Sequence, residues 1–376
     1  MTAGEMTTEV ATTRSSGLDW KKLLIGAVGM WLLGWGLANL FLSFGYYPDK
    51  YGSKVVIALL ALVAGVGGAA ILFFFLNMFV EGLPDRISAK LMPYAYVLPG
   101  VGLIGLMLLY PVLQTINYSF ANEDSSKYVG FQNYREIFKD DEFWQSILNN
   151  VLWLLVVPAV TVAIGVVVAV LADKLSTQGE KVAKSTIFVP MAVSFVGASA
   201  IWGLVYHYDI GEKQTGLLNR IWTGLGGKAE AWLSISDFRL NSFLMMVILI
   251  WLQAGFAMIL LSSAIKGVPE ETIEAARIDG ASELQIFWRV VIPQIKGTII
   301  TVFITVLILV LKVFDIVYVL KNGLDKTNVI ANLFFQELFA NDQAGRASAI
   351  VVILLLAVTP VLWYQVRHFR EEEANR

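Results

Sequence analysis

Polarity along the chain is close to binary: long runs without a charge alternate with short charged segments. The charge-free runs are Leu23–Pro48, Val55–Val80, Leu91–Asn122, Phe143–Ala172, Ser185–Tyr208, Leu240–Ile265 and Ala347–Val366. Each reaches the ~20 residues a helix needs to cross a hydrocarbon core. An eighth run, Thr298–Leu320, is as apolar but carries Lys312 and Asp315. Apolar positions are continuous rather than alternating, which predicts helices rather than the strands of a barrel, the two structures lipid permits. The pattern thus predicts an all-α integral membrane protein with eight transmembrane helices. Lys21 and Lys22 before the first run resemble the start of a signal peptide, but the run is too long for one and more spans follow, so it reads as a retained anchor. Residues 1–18, rich in Thr, Ser and Ala, read as a disordered tail.

Composition supports the membrane reading. Of 376 residues 57% are hydrophobic, and glycine brings the apolar share to about 65%, where soluble domains hold ~45–50%. Lys and Arg (28) nearly balance Asp and Glu (30) without forming a basic face, which argues against a nucleic-acid partner. No cysteine is present, which excludes disulfides, thiolate metal sites and a cysteine nucleophile. His207 and His368 fall at span ends on opposite sides, too far apart to share a metal. An even number of spans puts both termini on one side. With the termini in the cytoplasm the inner segments carry 15 Lys and Arg and the outer ones 12, the sense of the positive-inside bias.

The segment after the sixth span, Lys266 to Gly280, has the marks of a short surface helix. Pro269 suits a first helical turn, Glu270 and Glu271 complement the positive end of the helix dipole, and Gly280 can take the left-handed conformation that ends it. Ala275 and Ala276 leave a flat surface that another protein can approach. Ser282 and Gln285 then form a capping box for a second short helix running toward Pro293. An amphipathic connector and a docking surface both fit this description.

The run Glu274-Ala275-Ala276-Arg277-Ile278-Asp279-Gly280-Ala281, followed by Ile292-Pro293, resembles the EAA loop of permease subunits in binding-protein-dependent ABC importers. Tyr128–Tyr134, Leu148-Asn149-Asn150, Phe188-Val189-Pro190 and Leu311–Leu320 resemble other segments of the sugar branch. Lys321–Asn332 replaces the Gly-rich turn of many relatives and looks more like the α-glucoside permeases. The resemblance covers about residues 92–370. It implies a six-helix type I permease core over residues 91–370, with a cytoplasmic EAA coupling loop at 266–296, two additional N-terminal helices within 19–90, and a short tail at 371–376.

The resemblance further implies one half of a sugar pathway in the bacterial inner membrane, operating by alternating access. The expected sugar is an oligosaccharide or α-glucoside of the maltose, trehalose, sucrose or glucosylglycerol type. The expected partners are a second, different permease subunit, two copies of an ABC ATPase, an extracytoplasmic sugar-binding protein and membrane lipid. Glu274, Ala275, Ala276, Asp279, Gly280 and Pro293 would belong to the loop that docks on the ATPase. No catalytic residue, metal or cofactor is assigned to this chain. Gly226-Gly227-Lys228-Ala229 lacks the first glycine and the hydroxyl of a phosphate loop, so ATP and Mg are expected on the partner. A same-family permease for another solute such as glycerol phosphate is the alternative. A secondary transporter would be expected to show inverted repeats, which the sequence lacks.

Inside the spans, Thr298, Thr301, Thr305, Lys312 and Asp315 recur at helical spacing and would share one face of a helix. Facing lipid, each charge would cost roughly 2.5–3.5 kcal/mol, so the stripe is expected to face the bundle. Two readings fit: a structural ion pair between Lys312 and Asp315, or a sugar path. In the second, Asp315 accepts hydroxyl hydrogen bonds, Phe314 or Tyr318 stacks on a pyranose, and Trp251, Gln253 and Gly255 form the facing wall. Pro99, Pro111, Pro158, Pro190 and Pro360 are expected to kink or break their spans.

Overall fold

The computed structural model describes residues 18–211 and 213–374, so the expected disorder of residues 1–18 lies almost wholly outside the described residues, as does the His368 side chain. The described residues are helical almost throughout, and the isolated bridge between Ala121 and Tyr128 is the only β-pairing among them. Contacts divide the chain into two units, residues 1–113 and 114–376.

The first unit contains α1 (Trp20–Tyr46), α2 (Lys54–Glu81) and most of α3 (Asp85–Tyr118). Asp19 caps α1 by accepting from the amides of Lys21 and Lys22, and Ser53 caps α2 by accepting from Val56. Lys22 pairs with Glu81 at 3.0 Å, and the Ser43 and Tyr51 hydroxyls meet at 2.5 Å. The two helices therefore run antiparallel as a hairpin. Gly26 and Gly29 lie against Phe75 and Phe79, where a Cβ would overlap, the close approach that small residues permit between helices in lipid. Residues 85–90, placed by the sequence within the 19–90 unit of two N-terminal helices, form the start of α3.

The second unit adds α4 (Gln132–Ile137), α5 (Asp141–Ala172), α6 (Thr177–Phe188), α7 (Phe195–Val205), α8 (Leu217–Gly224) and α9 (Leu240–Lys266). α10 (Glu270–Ile278), α11 (Glu283–Ile286) and α12 (Ile292–Gln294) make up the loop expected to couple. α13 (Lys296–Leu311), α14 (Asp315–Leu320), α15 (Ile330–Phe339) and α16 (Ala344–Ala374) complete the unit. α9 is its axis. Two thirds (67%) of its most apolar stretch is buried, against 33% for α5. Trp153 and Val157 of α5 pack on Met245, Leu249 and Leu252 of α9 and on Val306 and Val310 of α13. Gly165 of α5 touches Ala257 of α9 so closely that a Cβ would sit 2.7 Å from the alanine's own.

Among the described residues, five helices can span a membrane by length and composition, up to seven if the bent pairs Thr177–Ala192 with Phe195–Val205 and Glu283–Gln294 with Lys296–Leu311 each count as one span, and Ala344–Pro360 is a shorter apolar helix. This is compatible with eight. Two spans are not the continuous helices their apolar pattern suggests. The run Ser185–Tyr208 breaks after Phe188: α6 passes through the turn Val189–Ala192 into α7 at an angle of 104°. Pro190 is part of that turn, whereas Pro111, Pro158 and Pro360 lie within helices that continue through them. The run Thr298–Leu320 breaks at Lys312–Phe314, where Lys312 (φ −114°, ψ 26°) and Phe314 (φ −143°, ψ −59°) leave helical geometry. The single-helix face proposed for Thr298 through Asp315 therefore does not exist. The proposed 371–376 tail is likewise no separate element at its start, because α16 runs to Ala374.

The segment Lys321–Asn328 shows why buried asparagines stud this fold. Asn149 of α5 donates to the carbonyls of Lys326 (2.8 Å) and Asn328 (2.6 Å), and Asn241, at the start of α9, donates to that of Asp325 (2.8 Å). Asn150 accepts from the amide of Ile330 at 2.8 Å. A segment with left-handed Asn322, Gly323, Asp325 and Lys326 cannot satisfy its own backbone, so side chains from α5 and α9 do so. The same bonds fix this segment at the N-terminal ends of α5 and α9. The loop of α10–α12 follows the C-terminal end of α9, at the opposite end of a helix about 40 Å long by its ~1.5 Å rise.

Candidate functional site: a cavity at two helix breaks and a loop of short helices

The two broken spans meet at a cavity of about 490 Å³, within the ~300–1,000 Å³ range of small-molecule sites. Its walls come from the α6–α7 turn (Met191, Val193–Val196), from α9 (Gln253, Phe256), from α13 (Thr305, Leu309) and from Asp315. Irregular backbone at membrane depth is tolerated where it lines a cavity, and both breaks do so. A second space of about 120 Å³ adjoins it, sharing Phe195, Leu309 and Asp315 and adding Lys312 and Phe314.

The polar groups in these walls differ in how far they are committed. Ser194 caps α7, accepting from Gly197 at 3.1 Å, and Thr305 donates to the Thr301 carbonyl at 2.8 Å. Gln253 is only 5% exposed, yet its amide makes no hydrogen bond to another described residue, and it opens into the cavity. Asp315 and Lys312 make no ion pair, with each other or with any other described residue. The structural ion pair is thereby corrected: the backbone turns between the two residues, so the i,i+3 geometry that would join them is absent. A carboxylate, a buried amide and an ammonium left without partners can hydrogen-bond a polar solute.

The structure sorts the remaining candidates from the spans. Phe314 lines the smaller space. Tyr318 does not, but stacks on Phe314 with centroids 5.0 Å apart. Trp251 is set against Trp202 (5.8 Å) and packs on the core rather than lining either space. Gly255 lies where a Cβ would be 2.4 Å from the Ile187 carbonyl oxygen and 2.7 Å from the Phe188 Cα. Neither belongs to the wall. Gly255 instead lets the end of α6, just before the break, rest on α9.

At the other end, α10 begins at Glu270 with Pro269 as its N-cap, one position earlier than the first turn expected. Asp279 is its C-cap, Gly280 has φ +82°, and Ser282 with Gln285 forms the capping box. α10 lays Ile273 and Ala276 on a small core of Val268, Ile286, Val291 and Ile295. Glu274, Ala275 and Pro293 are exposed, as are Ile278 (87%) and Leu284 (69%). Arg277 binds Glu283 at 2.9 and 3.4 Å, holding α10 to α11 and keeping the Glu283 carboxyl below its ordinary range.

The base of this loop carries an ion cluster that sequence reasoning missed. Lys184 of α6 meets Asp173 (3.0 Å) and Glu180 (2.5 Å), and Lys266, the last residue of α9, meets Glu180 (2.5 Å) and Asp173 (3.7 Å). Ser262 donates to Asp173 and accepts from Lys184. Bonds from Lys184 first, then Lys266, push the Glu180 carboxyl down to about 2. The Glu180–Lys184 spacing was the visible signal; the partners on α5 and α9 are remote in sequence.

Comparison with known proteins places this architecture. Residues 143–370 match the family described as binding-protein-dependent transport system inner membrane component. The alpha-glucoside transport system permease protein AglF of Rhizobium meliloti is 42% identical over 86% of this chain and 99% of its own length. The osmoprotective compounds uptake permease protein GgtC of Synechocystis is 46% identical over 75% of this chain and 100% of its own. A chain of a bacterial ABC transporter involved in the import of the acidic polysaccharide alginate superposes with a TM-score of 0.64 at 20% identity, covering 76% of this chain and 98% of that one, and shows the same fold. The chain belongs to the inner-membrane components of binding-protein-dependent transport systems, the permease subunits of ABC importers.

Proposed function

We propose that this permease forms half of the pathway for a neutral α-glucoside or related small sugar, driven by ATP hydrolysis on partner subunits. The observation that carries the reading is the cavity at the two helix breaks, where the unpartnered Gln253 amide and the Asp315 carboxylate stand among Phe195 and Phe256. A sugar needs both: donors and acceptors for its hydroxyls, and aromatic surface for its C–H faces. Asp315 and Lys312 are the charged residues lining the two joined spaces, and their charges cancel, which favours a neutral sugar over a phosphate ester. The similarity to AglF and GgtC supports the same class.

In this account the exposed face of α10, with Glu274, Ala275 and Ile278, docks on an ABC ATPase that supplies ATP and Mg. A second, different permease subunit closes the pathway, and an extracytoplasmic binding protein delivers the sugar. Motion of the ATPase reaches the cavity through the ion cluster, because Lys266 adjoins the docking loop and α6 leads directly into the cavity's turn. Opening the cavity to alternate sides then moves the sugar inward.

The test is affinity purification of the chain from its own host, with uptake measured in a strain lacking it. A second permease and an ATPase should co-purify, and uptake of maltose, trehalose, sucrose or glucosylglycerol should depend on the chain. ATP hydrolysis by the isolated chain, or uptake of all four sugars independent of it, would overturn the reading.

A further inference from the structure

Four aromatic rings lead away from the cavity. Phe314, in the wall of the smaller space, stacks on Tyr318 of α14 at 5.0 Å with planes 23° apart. Phe335 of α15 lies 5.2 Å from both. Phe339, one turn further along α15, is 4.6 Å from Phe335. The outermost ring, Phe339, is the most exposed at 65%, Tyr318 is 41% exposed, and Phe314 and Phe335 are half-buried. Because Phe335 touches both Phe314 and Phe339, the end centroids lie at most about 10 Å apart. It begins beside two charges that have no ion-pair partner among the described residues, Lys312 and Asp315. It lies at the end of the bundle opposite the α10–α12 loop, because α14 and α15 flank the segment that Asn149 and Asn241 hold.

From this geometry we infer that Phe339, Phe335, Tyr318 and Phe314 form a stacking track that guides a pyranose from the outer end of the permease into the cavity. The inference rests on the sugar reading above and adds to it two residues of α15, Phe335 and Phe339. Stacking on a ring needs no particular hydroxyl arrangement, so a sugar can pass from ring to ring without a deep well at any one. Specific hydrogen bonds then begin where the track ends, at Asp315, Lys312 and Gln253. A ring cluster that served only to face lipid or another subunit would have no reason to end at unpaired charges.

Uptake kinetics in whole cells, with labelled maltose, trehalose, sucrose and glucosylglycerol as probes, test the track. Membrane abundance of each variant is checked by immunoblot. Phe335→Ala and Phe339→Ala should raise the half-saturating concentration about three- to tenfold, the worth of one aromatic contact, with maximal rate unchanged. Phe339→Tyr should behave as wild type. Phe339→Leu, which keeps an apolar surface but loses the flat ring, should behave as the alanine variant. Wild-type kinetics in both alanine variants would overturn the track. So would rescue by leucine, or a fall in maximal rate at unchanged half-saturation, since an apolar packing surface gives those results. Failure of the wild type to take up any of the four sugars would instead overturn the sugar reading, and the track with it.

Discussion

Gly255 offers the sharpest test of how the cavity is held open. A Cβ there would lie 2.4 Å from the Ile187 carbonyl oxygen, 2.7 Å from the Phe188 Cα and 3.0 Å from the Ile187 carbonyl carbon. All three are backbone atoms, so no side-chain rotation relieves the overlap. Restoring an ordinary 3.4 Å separation requires the end of α6 to withdraw by about 1 Å from α9. Three residues on, that chain forms the cavity wall at Met191. Gly255→Ala should therefore cost about 1–3 kcal/mol, as overpacking does in close-packed interiors, and also change the cavity. Gly165→Ala is the control, since its Cβ would meet Ala257 at 2.7 Å and neither residue lines the cavity. Thermal unfolding of the purified proteins and the half-saturating concentration for uptake are the two readouts. Both variants should unfold at lower temperature, and only Gly255→Ala should shift half-saturation. Wild-type unfolding and uptake in Gly255→Ala would refute the close approach and its link to the cavity.

Three further outcomes follow from the same geometry. Gly280→Val, at φ +82° with nothing within 4 Å of its Cβ position, meets backbone strain of about 1–3 kcal/mol rather than a clash; it and Glu274→Lys should leave membrane insertion intact and abolish uptake or loss of the ATPase on purification should be seen, whereas normal uptake by both would reduce the loop to a connector. Because Lys312 and Asp315 are not paired, Lys312→Met with Asp315→Asn should fail to restore uptake lost in either single variant, and restoration would mean the charges serve only each other. With its carboxyl pushed down to about 2, Glu180 contributes stability that is present above the ordinary carboxylate range and lost only as pH falls toward 2; coupling of hydrolysis to uptake should thus be insensitive to pH between 5 and 7 in wild type and impaired throughout in Glu180→Gln, and a wild-type transition within that window would contradict the cluster's geometry.

What could be read from the sequence depended on whether the signal was local. Helices that only need apolar length announce themselves, and so does the α10–α11 loop, whose capping box and terminal glycine are contacts between near neighbours. The breaks were less legible. Pro190 marks one, but Lys312–Phe314 contains no proline or glycine, and its departure from helical geometry coincides with charges that leave the lipid for a cavity wall. The sequence groups Trp251, Gln253 and Gly255 as one facing wall, yet only Gln253 lines the cavity, because Trp251 packs on the core and Gly255 makes room for the end of α6. Asn149 and Asn150 stood out only by resemblance, because the carbonyls and amide they satisfy lie some 180 residues away. The ion cluster failed to show for the same reason: Asp173, Lys184 and Lys266 come from three helices.

The central claim is that the space between the broken spans binds a neutral sugar through groups the protein leaves unpartnered. It is tested most directly by the half-saturating concentration for α-glucoside uptake in the Gln253→Leu, Asp315→Asn double variant, at matched membrane abundance. Losing one neutral and one charge-assisted hydrogen bond should raise it at least about tenfold, and wild-type uptake with an unchanged order of preference among the four sugars would contradict the claim.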